Sequence, residues 1–211
     1  MSRQRVALFG GTFDPPHVGH LIIAECAREA LRLDRVEFLV AADPPHKLDV
    51  ARSSFADRRL MVELAVAGST HLGVDDSEGR RLGPSFTADT LRLRRDMAPD
   101  ELLWFLMGAD SLVDLPTWHA PSTILRLARL AVAARPGSII DMAEIDRSLP
   151  GAAASTDMIE APLIDISSRD LRRRLQLGHS IAYRTPSTVS DYIYRRGLYG
   201  GETDGTPQPS S

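Results

Sequence analysis

The feature that most constrains the fold is the segment GGTFDPPHVGH at residues 10–20. It follows a short apolar run, Val6 to Phe9, and it precedes an amphipathic run, Leu21 to Leu33. An apolar run, a loop of glycines and turn formers, and apolar residues at helical spacing together predict a strand, a tight loop and a helix. A unit of this kind is typical of α/β folds, whose ligands gather at the loops that follow the strands.

The residue types in this loop indicate a phosphate site. Its glycine pair can adopt backbone angles denied to other residues and leaves space for a ligand. Because the second proline suits the start of a helix, we expect the helix to begin near His17 or Val18. His17 and His20 then lie on one helix face, beside free backbone N–H groups and the positive end of the helix dipole. Imidazoles there can donate hydrogen bonds to phosphate oxygens, and Gly19 leaves room for a flat group against the backbone.

An isolated His-x-Gly-His is weak evidence of function, but the whole segment carries more. It resembles the signature GG-(T/S)-F-(D/N)-P-P-H-x-G-H of the HxGH nucleotidyltransferases, in particular the nicotinate-mononucleotide adenylyltransferase family. A second segment, ISSRDLRRRL at 166–175, resembles the family's ISSxxxR signature. By itself it predicts a helix capped by Ser167 or Ser168, with Arg172 on the same face as Ser168, which is either a second phosphate clamp or an ordinary surface helix.

Further segments resemble the acceptor half of the same family. GPSFTADTL at 83–91 is similar to GPSYTxDTL, a region that holds the pyridine carboxylate mainly through the backbone around the threonine, here Thr87. The segment MGADSLVDLPTWH at 107–119 contains Trp118, which could stack on a pyridinium ring. Arg135 resembles the family's arginine near the mononucleotide phosphate, and Lys47 of PPHK resembles its triphosphate lysine.

The resemblance implies adenylyl transfer from ATP to nicotinate mononucleotide, with Mg²⁺ held mainly by the ATP phosphates. It implies His17, His20 and Arg172 as catalytic residues. The implied acceptor site contains Ser85, Phe86, Thr87, Trp118 and Arg135. The implied ATP site contains Gly10, Gly11, Thr12, Phe13, Gly19, Lys47, Gly108, Asp110, Ile166, Ser167 and Ser168.

Other functions fit the sequence less well. The chain lacks the G-x-x-x-x-G-K-[ST] and G-x-G-x-x-G patterns of other nucleotide-binding folds. Phosphopantetheine adenylyltransferases and cytidylyltransferases share His-x-Gly-His but do not need the pyridine-binding segments. Nicotinamide mononucleotide is an alternative acceptor, and a non-catalytic nucleotide-binding regulator is an alternative of a different class. The presence of both histidines and Arg172 argues against the regulator.

Strands alternate with helices along the chain. This alternation predicts a single α/β domain at 1–200, Rossmann-like and doubly wound, with a mostly parallel sheet, followed by a disordered tail at 201–211. We expect the 136–157 stretch to be a surface excursion and 108–119 to be a loop. The predicted strands are 6–9, 36–42, 72–74, 101–107, 130–134 and 159–166. The predicted helices are 21–33, 60–67, 87–97, 124–129, 142–149, 171–177 and 189–196.

Charge and cysteine content limit the classes of binding partner and the cellular location that fit the sequence. The formal net charge of −3 argues against broad nucleic-acid binding, which needs a basic face. Cys26 is the only cysteine, which excludes an intrachain disulfide and favours a reducing, cytoplasmic location. Arginines interrupt the longest apolar stretch, so we expect no membrane span. The sequence does not settle oligomeric state, and a homo-oligomer is compatible with it.

Overall fold

The computed structural model describes residues 3–42, 53–81, 83–134 and 140–200. Three short 3₁₀ turns occupy Ser77–Arg80, Leu115–Thr117 and Leu198–Gly200. The strands are β1 (Arg5–Gly11), β2 (Arg35–Val40), β3 (Leu72–Asp75), β4 (Leu102–Gly108), β5 (Arg129–Ala134) and β6 (Thr156–Glu160). The helices are α1 (Val18–Ala30), α2 (Phe55–Val66), α3 (Thr87–Met97), α4 (Ala109–Asp114), α5 (Pro121–Leu127), α6 (Met142–Ser148), α7 (Ser168–Gln176) and α8 (Ser187–Arg196).

The strands pair into one parallel sheet with the order β3-β2-β1-β4-β5-β6. The chain runs outward from β1 in one direction and then outward from β4 in the other. The carboxyl ends of β1 and β4 therefore form the point where strand order reverses, which is where open α/β sheets bind ligands. The predicted α/β doubly wound fold is confirmed, and the sheet is parallel in every pairing.

Helices cover both faces of the sheet, which is why the central strands are apolar on both sides. Leu8 and Phe105 face the layer of α3 and α5, whereas Phe38 and Leu106 face α1 and α2. The C-terminal helices α7 and α8 do not cover the sheet directly, because their apolar residues pack around Met61 of α2. The segment from α7 to the 3₁₀ turn at Leu198–Gly200 thus forms an outer layer, which we call the C-terminal layer, beside the end of β1. No helix within the described ranges is long and apolar enough to span a membrane.

Three local predictions are wrong. The 108–119 segment contains α4 and a 3₁₀ turn and is not simply a loop. The last strand ends at Glu160 instead of continuing to residue 166, because Pro162 has no N–H for the ladder, and β6 is the edge strand. The 136–157 stretch is no surface excursion where it is described, since Leu149 and Ala152 are buried in the core. Residues 135–139 lie outside the described chain, as does the predicted tail.

The starts of α2 and α3 are capped differently. Ser54 caps α2 by accepting a hydrogen bond from the Asp57 N–H at 3.1 Å. Neither Ser85 nor Thr87 caps α3, because Phe86 occupies the N-cap position and makes no side-chain cap. The backbone N–H groups in the first turn of α3 are therefore not bonded by a capping side chain, which suits a ligand-binding helix end.

Candidate active site

A cleft of about 490 Å³ opens over the carboxyl ends of β1, β4 and β5, a size typical of small-molecule sites. Among the residues that the structure describes, Thr12, Arg172, Ser85, Phe86, Thr87 and Trp118 do not line it. Lys47 and Arg135 lie outside the described residues. The predicted site residues that form its wall are Gly10, Gly11, Phe13, His17, Gly19, His20, Gly108, Asp110, Ile166, Ser167 and Ser168.

The glycine pair belongs to the end of β1 rather than to the loop after it. A Cβ atom on Gly10 would lie 2.5 Å from Cζ of Phe105, and one on Gly11 would lie 2.6 Å from Cζ of Phe13. The close approach of these aromatic rings therefore requires glycine at both positions. Neither glycine has the left-handed backbone that other residues rarely adopt, although the sequence suggested this use of the pair. In this loop it is Phe13 that has a positive φ, of 50°.

The two histidines form one compact unit at the start of α1. His17 is the N-cap residue, and its backbone N–H donates to Nδ1 of His20 at 3.1 Å. The two rings stack with centroids 3.6 Å apart. Because Nδ1 of His20 accepts this bond, the proton of the neutral His20 ring lies on Nε2, which makes Nε2 a donor. A Cβ on Gly19 would lie 3.0 Å from Nδ1 of His17, so the flat group that rests against Gly19 is the His17 ring itself.

Burial keeps this pair uncharged near neutral pH. It lowers the pKa of His17 to about 4. Burial, together with the neighbouring His17, also holds the pKa of His20 well below 6.5. Two stacked cations would repel each other, so the free protein offers neutral N–H donors beside the positive end of α1. A bound polyphosphate would supply the negative charge that favours protonation of one ring.

The second signature meets the first in space, although Ser168 and Pro15 are 153 positions apart. Ser167 caps α7 by accepting from the Asp170 N–H at 3.1 Å, and the hydroxyl of Ser168 donates to the Pro15 carbonyl at 2.8 Å. Arg172 donates to the backbone carbonyl of Asp14. The structure thus brings α7 to the loop, and Arg172 is bonded to the loop backbone.

Arg58, which was not among the predicted site residues, is fully buried in α2. Its guanidinium donates to the carbonyls of Thr12 at 3.2 Å, Ala41 at 2.7 Å and Ser53 at 3.3 Å. It therefore joins the first loop to the end of β2. A signal was available, because Arg58 lies three and four positions before Met61 and Val62, on the buried face of α2.

Two of the predicted acceptor residues, Phe86 and Trp118, make aromatic contacts. The Phe86 ring stacks on His119, with centroids 4.3 Å apart. Trp118 meets Phe105 edge to face at 6.1 Å, and the same Phe105 ring lies against Gly10. Trp118 is thus one aromatic ring away from the glycine pair. This arrangement places a stacking surface beside the cleft, next to the N-terminus of α3.

A second missed residue, Glu78, supports this half of the site. Its carboxylate is buried and accepts hydrogen bonds from the Ala42 N–H at 3.1 Å and from the Thr90 hydroxyl at 3.0 Å. Its carbonyl accepts from the Ser85 hydroxyl at 3.3 Å. Glu78 therefore joins the end of β2 to the start of α3, where Thr87 is the first helical residue.

The cleft offers few ligands for a metal. Within the ranges that the structure describes, no three His, Cys, Asp or Glu side chains are grouped closely enough to hold a metal ion. Asp110, in the first turn of α4, is the acidic residue of the cleft wall and is exposed. A phosphate chain bound in this cleft would itself offer oxygen ligands to a divalent cation.

Comparison with known proteins gives a consistent result. The model of the cytidylyltransferase-like family matches residues 8–174. A probable nicotinate-nucleotide adenylyltransferase from Thermomicrobium roseum is 47% identical over 196 residues, covering 93% of this chain and 92% of the relative. One from Roseiflexus sp. is 43% identical and covers 94% of this chain and 100% of the relative.

The fold also matches a solved structure. Plasmodium falciparum nicotinic acid mononucleotide adenylyltransferase complexed with NaAD superposes with a TM-score of 0.78 at 19% identity. The match covers 96% of this chain and 100% of that chain. At this identity the likeness establishes the architecture.

Proposed function

Because the chain belongs to the cytidylyltransferase-like family, in the group of nicotinate-nucleotide adenylyltransferases, we propose that it makes nicotinate adenine dinucleotide from ATP and nicotinate mononucleotide. The observation that carries this proposal is the meeting of the histidine pair and the start of α7 on one loop, at the reversal point of the sheet. Two helix N-termini there face a single cleft, which suits a chain of phosphates.

The reaction needs no nucleophile from the protein. A phosphate oxygen of the mononucleotide forms a bond to the α-phosphorus of ATP, and the bond between that phosphorus and the α,β-bridging oxygen breaks. Pyrophosphate leaves with the electron pair. The protein's part is therefore to hold the two substrates in line and to stabilise the charge that develops on the α-phosphoryl and leaving groups.

We call the part of the cleft formed by the first loop, the histidine pair and the start of α7 the donor half, because it would bind ATP, the adenylyl donor. Its residues have separate roles. His20 offers its Nε2–H and His17 its ring to the phosphate oxygens, and ATP binding favours protonation of the pair. Ser168, Arg172 and Lys47 bind the β- and γ-phosphates. Enzymes of this group use a divalent cation, and we assign Mg²⁺ carried by the triphosphate, which neutralises charge on the leaving group.

In the acceptor half the pyridine ring stacks on Trp118, and the carboxylate accepts from backbone N–H groups around Thr87. Phe86 lacks the hydroxyl of the usual tyrosine but keeps a flat surface, which His119 already covers in the free protein. Arg135 pairs with the mononucleotide phosphate. A cytoplasmic location fits an enzyme that consumes ATP.

Position-specific labelling tests the reaction type. With nicotinate mononucleotide and Mg²⁺, label in the α-phosphate of ATP should appear in the dinucleotide, and label in the γ-phosphate should appear only in pyrophosphate. Label from the γ-phosphate in the acceptor product, or release of inorganic phosphate alone, would mean a kinase or an ATPase and would refute adenylyl transfer.

A further inference from the structure

The loop that leads to the histidine pair is held in place from the C-terminal layer. The Thr185 hydroxyl donates to the Pro16 carbonyl at 2.8 Å, and the Val18 N–H donates to the Arg184 carbonyl at 3.0 Å. With the Ser168 bond to Pro15, residues on both sides of His17 are fixed by groups from this layer. The position of His17 therefore depends on this layer.

Tyr199, in the 3₁₀ turn at Leu198–Gly200, contacts the same loop. Its hydroxyl donates to Oδ1 of Asp14. Its φ of 63° lies in the left-handed region, which costs free energy for a residue with a side chain, and its ring packs with the cluster around Met61. Burial and the adjacent Asp14 raise the pKa of Tyr199 far above its usual value, so the phenol remains a donor.

Asp14 is a buried carboxylate that is only partly satisfied. It is 2% exposed, and its Oδ2 has no hydrogen-bond partner among the described residues. Among the described residues, Oδ1 accepts one further hydrogen bond besides that of Tyr199, a long one of 3.4 Å from the Ser53 N–H. The guanidinium of Arg172 lies 4.0 Å from Oδ2. A buried anion without the phenol would therefore turn to Arg172, the one described cation in ion-pair range of this carboxylate.

We propose that Tyr199 is a positioning residue for ATP: by holding the carboxylate of Asp14, it keeps Arg172 available for the triphosphate. The inference rests on the proposed function, because it deepens the role of Arg172 at that same site. Loss of the phenol hydroxyl lets Asp14 and Arg172 close into a tight ion pair. The guanidinium must then leave this pair before it can bind a phosphate.

The test compares two tyrosines of the same layer by calorimetric titration with ATP and Mg²⁺ in the absence of any acceptor. Tyr199→Phe should weaken ATP binding about tenfold or more, the loss expected for a hydrogen bond to a charged group. Tyr192→Phe is the matched control, because its hydroxyl donates to Oδ1 of Asp57 at 2.6 Å, on α2. It should leave ATP binding unchanged. Equal effects of the two substitutions would overturn the proposal.

A rescue separates this mechanism from general damage to the loop. Asp14→Asn in the Tyr199→Phe background removes the competing charge, and the family signature accepts Asn at this position, so ATP binding should recover to within about threefold of wild type. Binding that stays as weak as in Tyr199→Phe would overturn the proposal. Should the Tyr199 variants fail to fold, Asp14→Asn alone must bind ATP at least as tightly as wild type, and weaker binding would overturn it.

These titrations contain no acceptor, so they are independent of which acceptor the enzyme uses. A wild-type protein that binds ATP but forms no dinucleotide would refute the proposed function and leave the Tyr199 comparison intact. Conversely, normal dinucleotide synthesis with no difference between the two tyrosine variants would refute only the role of Tyr199.

Discussion

The donor and acceptor halves of the cleft are built in different ways. In the donor half, Arg58, Ser168 and Thr185 donate to backbone carbonyls of the first loop, and most of these groups are buried. In the acceptor half, Glu78 also makes buried hydrogen bonds, but the residues expected to bind the pyridine ring contact other aromatic rings, and Phe86 is 39% exposed. A site for a flexible, highly charged triphosphate thus has its donors fixed in advance. A site for a flat ring consists of surfaces that a ligand can enter between.

The largest effect should come from the centre of the donor half. His20→Ala removes a preorganised donor and the acceptor for the His17 N–H, so kcat should fall about 10²-fold or more. His179→Ala is the control, because this histidine is exposed beyond the end of α7. Steady-state kinetics with unchanged circular dichroism would check the prediction. A near-normal kcat would remove His20 from the catalytic residues.

Arg58 tests whether the donor half depends on buried polar contacts. Arg58→Met leaves three loop carbonyls without this donor, and we expect a loss of about 2–4 kcal/mol in the free energy of unfolding. The neighbouring Arg59→Met breaks exposed ion pairs to Glu63 and Asp76, and should cost at most about 1 kcal/mol. Urea unfolding of both variants distinguishes them. Equal losses would mean that Arg58 acts only as a surface arginine does.

Trp118 tests the acceptor half. Trp118→Ala should raise KM for the mononucleotide about tenfold, the scale expected for a lost stacking contact, and should spare KM for ATP. Trp118→Phe keeps a flat ring and should retain most of the affinity. Trp118 packs on Phe105, which lies against Gly10, so the substitution could also disturb the ATP site if Trp118 has a structural role. Equal damage to both KM values would show that Trp118 supports the glycine pair instead of binding substrate.

The last prediction concerns the pH dependence of the free energy of unfolding, to which the histidine pair contributes. Since the pKa of His17 is lowered from 6.5 to about 4, between these values the unfolded chain binds a proton that the folded protein does not. The free energy of unfolding should therefore fall as pH falls through this window, by a few kcal/mol at most, and His20 acts in the same direction. Thermal unfolding at pH 7.5, 6 and 4.5 measures the trend. It should be smaller in His17→Gln, and an identical trend there would contradict the assignment.

The sequence predicted the order of elements well because apolar periodicity and turn residues act locally. It also predicted that the loops after strands would meet, since the topology of a doubly wound sheet requires this, and the family assignment is confirmed by the relatives. The short α4 was missed because six residues directly after a strand carry little periodicity. The individual roles of the predicted site residues stay predictions, including those of Lys47 and Arg135.

Buried polar residues were the hardest to foresee. Asp14 and Tyr199 are 185 positions apart, and Glu78 joins Ala42 to Thr90, so no local pattern reveals either set. Such residues look like ordinary surface groups until their partners are known. These buried residues hold the loops that carry the site residues. The site residues themselves could be predicted because their motifs are contiguous in sequence.

The most direct test of the account is acceptor discrimination. Pyrophosphate release with ATP and Mg²⁺ should be measured with nicotinate mononucleotide, nicotinamide mononucleotide and phosphopantetheine under the same conditions. We expect kcat/KM for nicotinate mononucleotide to be at least about tenfold higher than for the other two acceptors, which equals about 1.4 kcal/mol of discrimination. Turnover of phosphopantetheine alone would contradict it, and the roles of Thr87, Trp118 and Arg135 in acceptor binding would then be wrong.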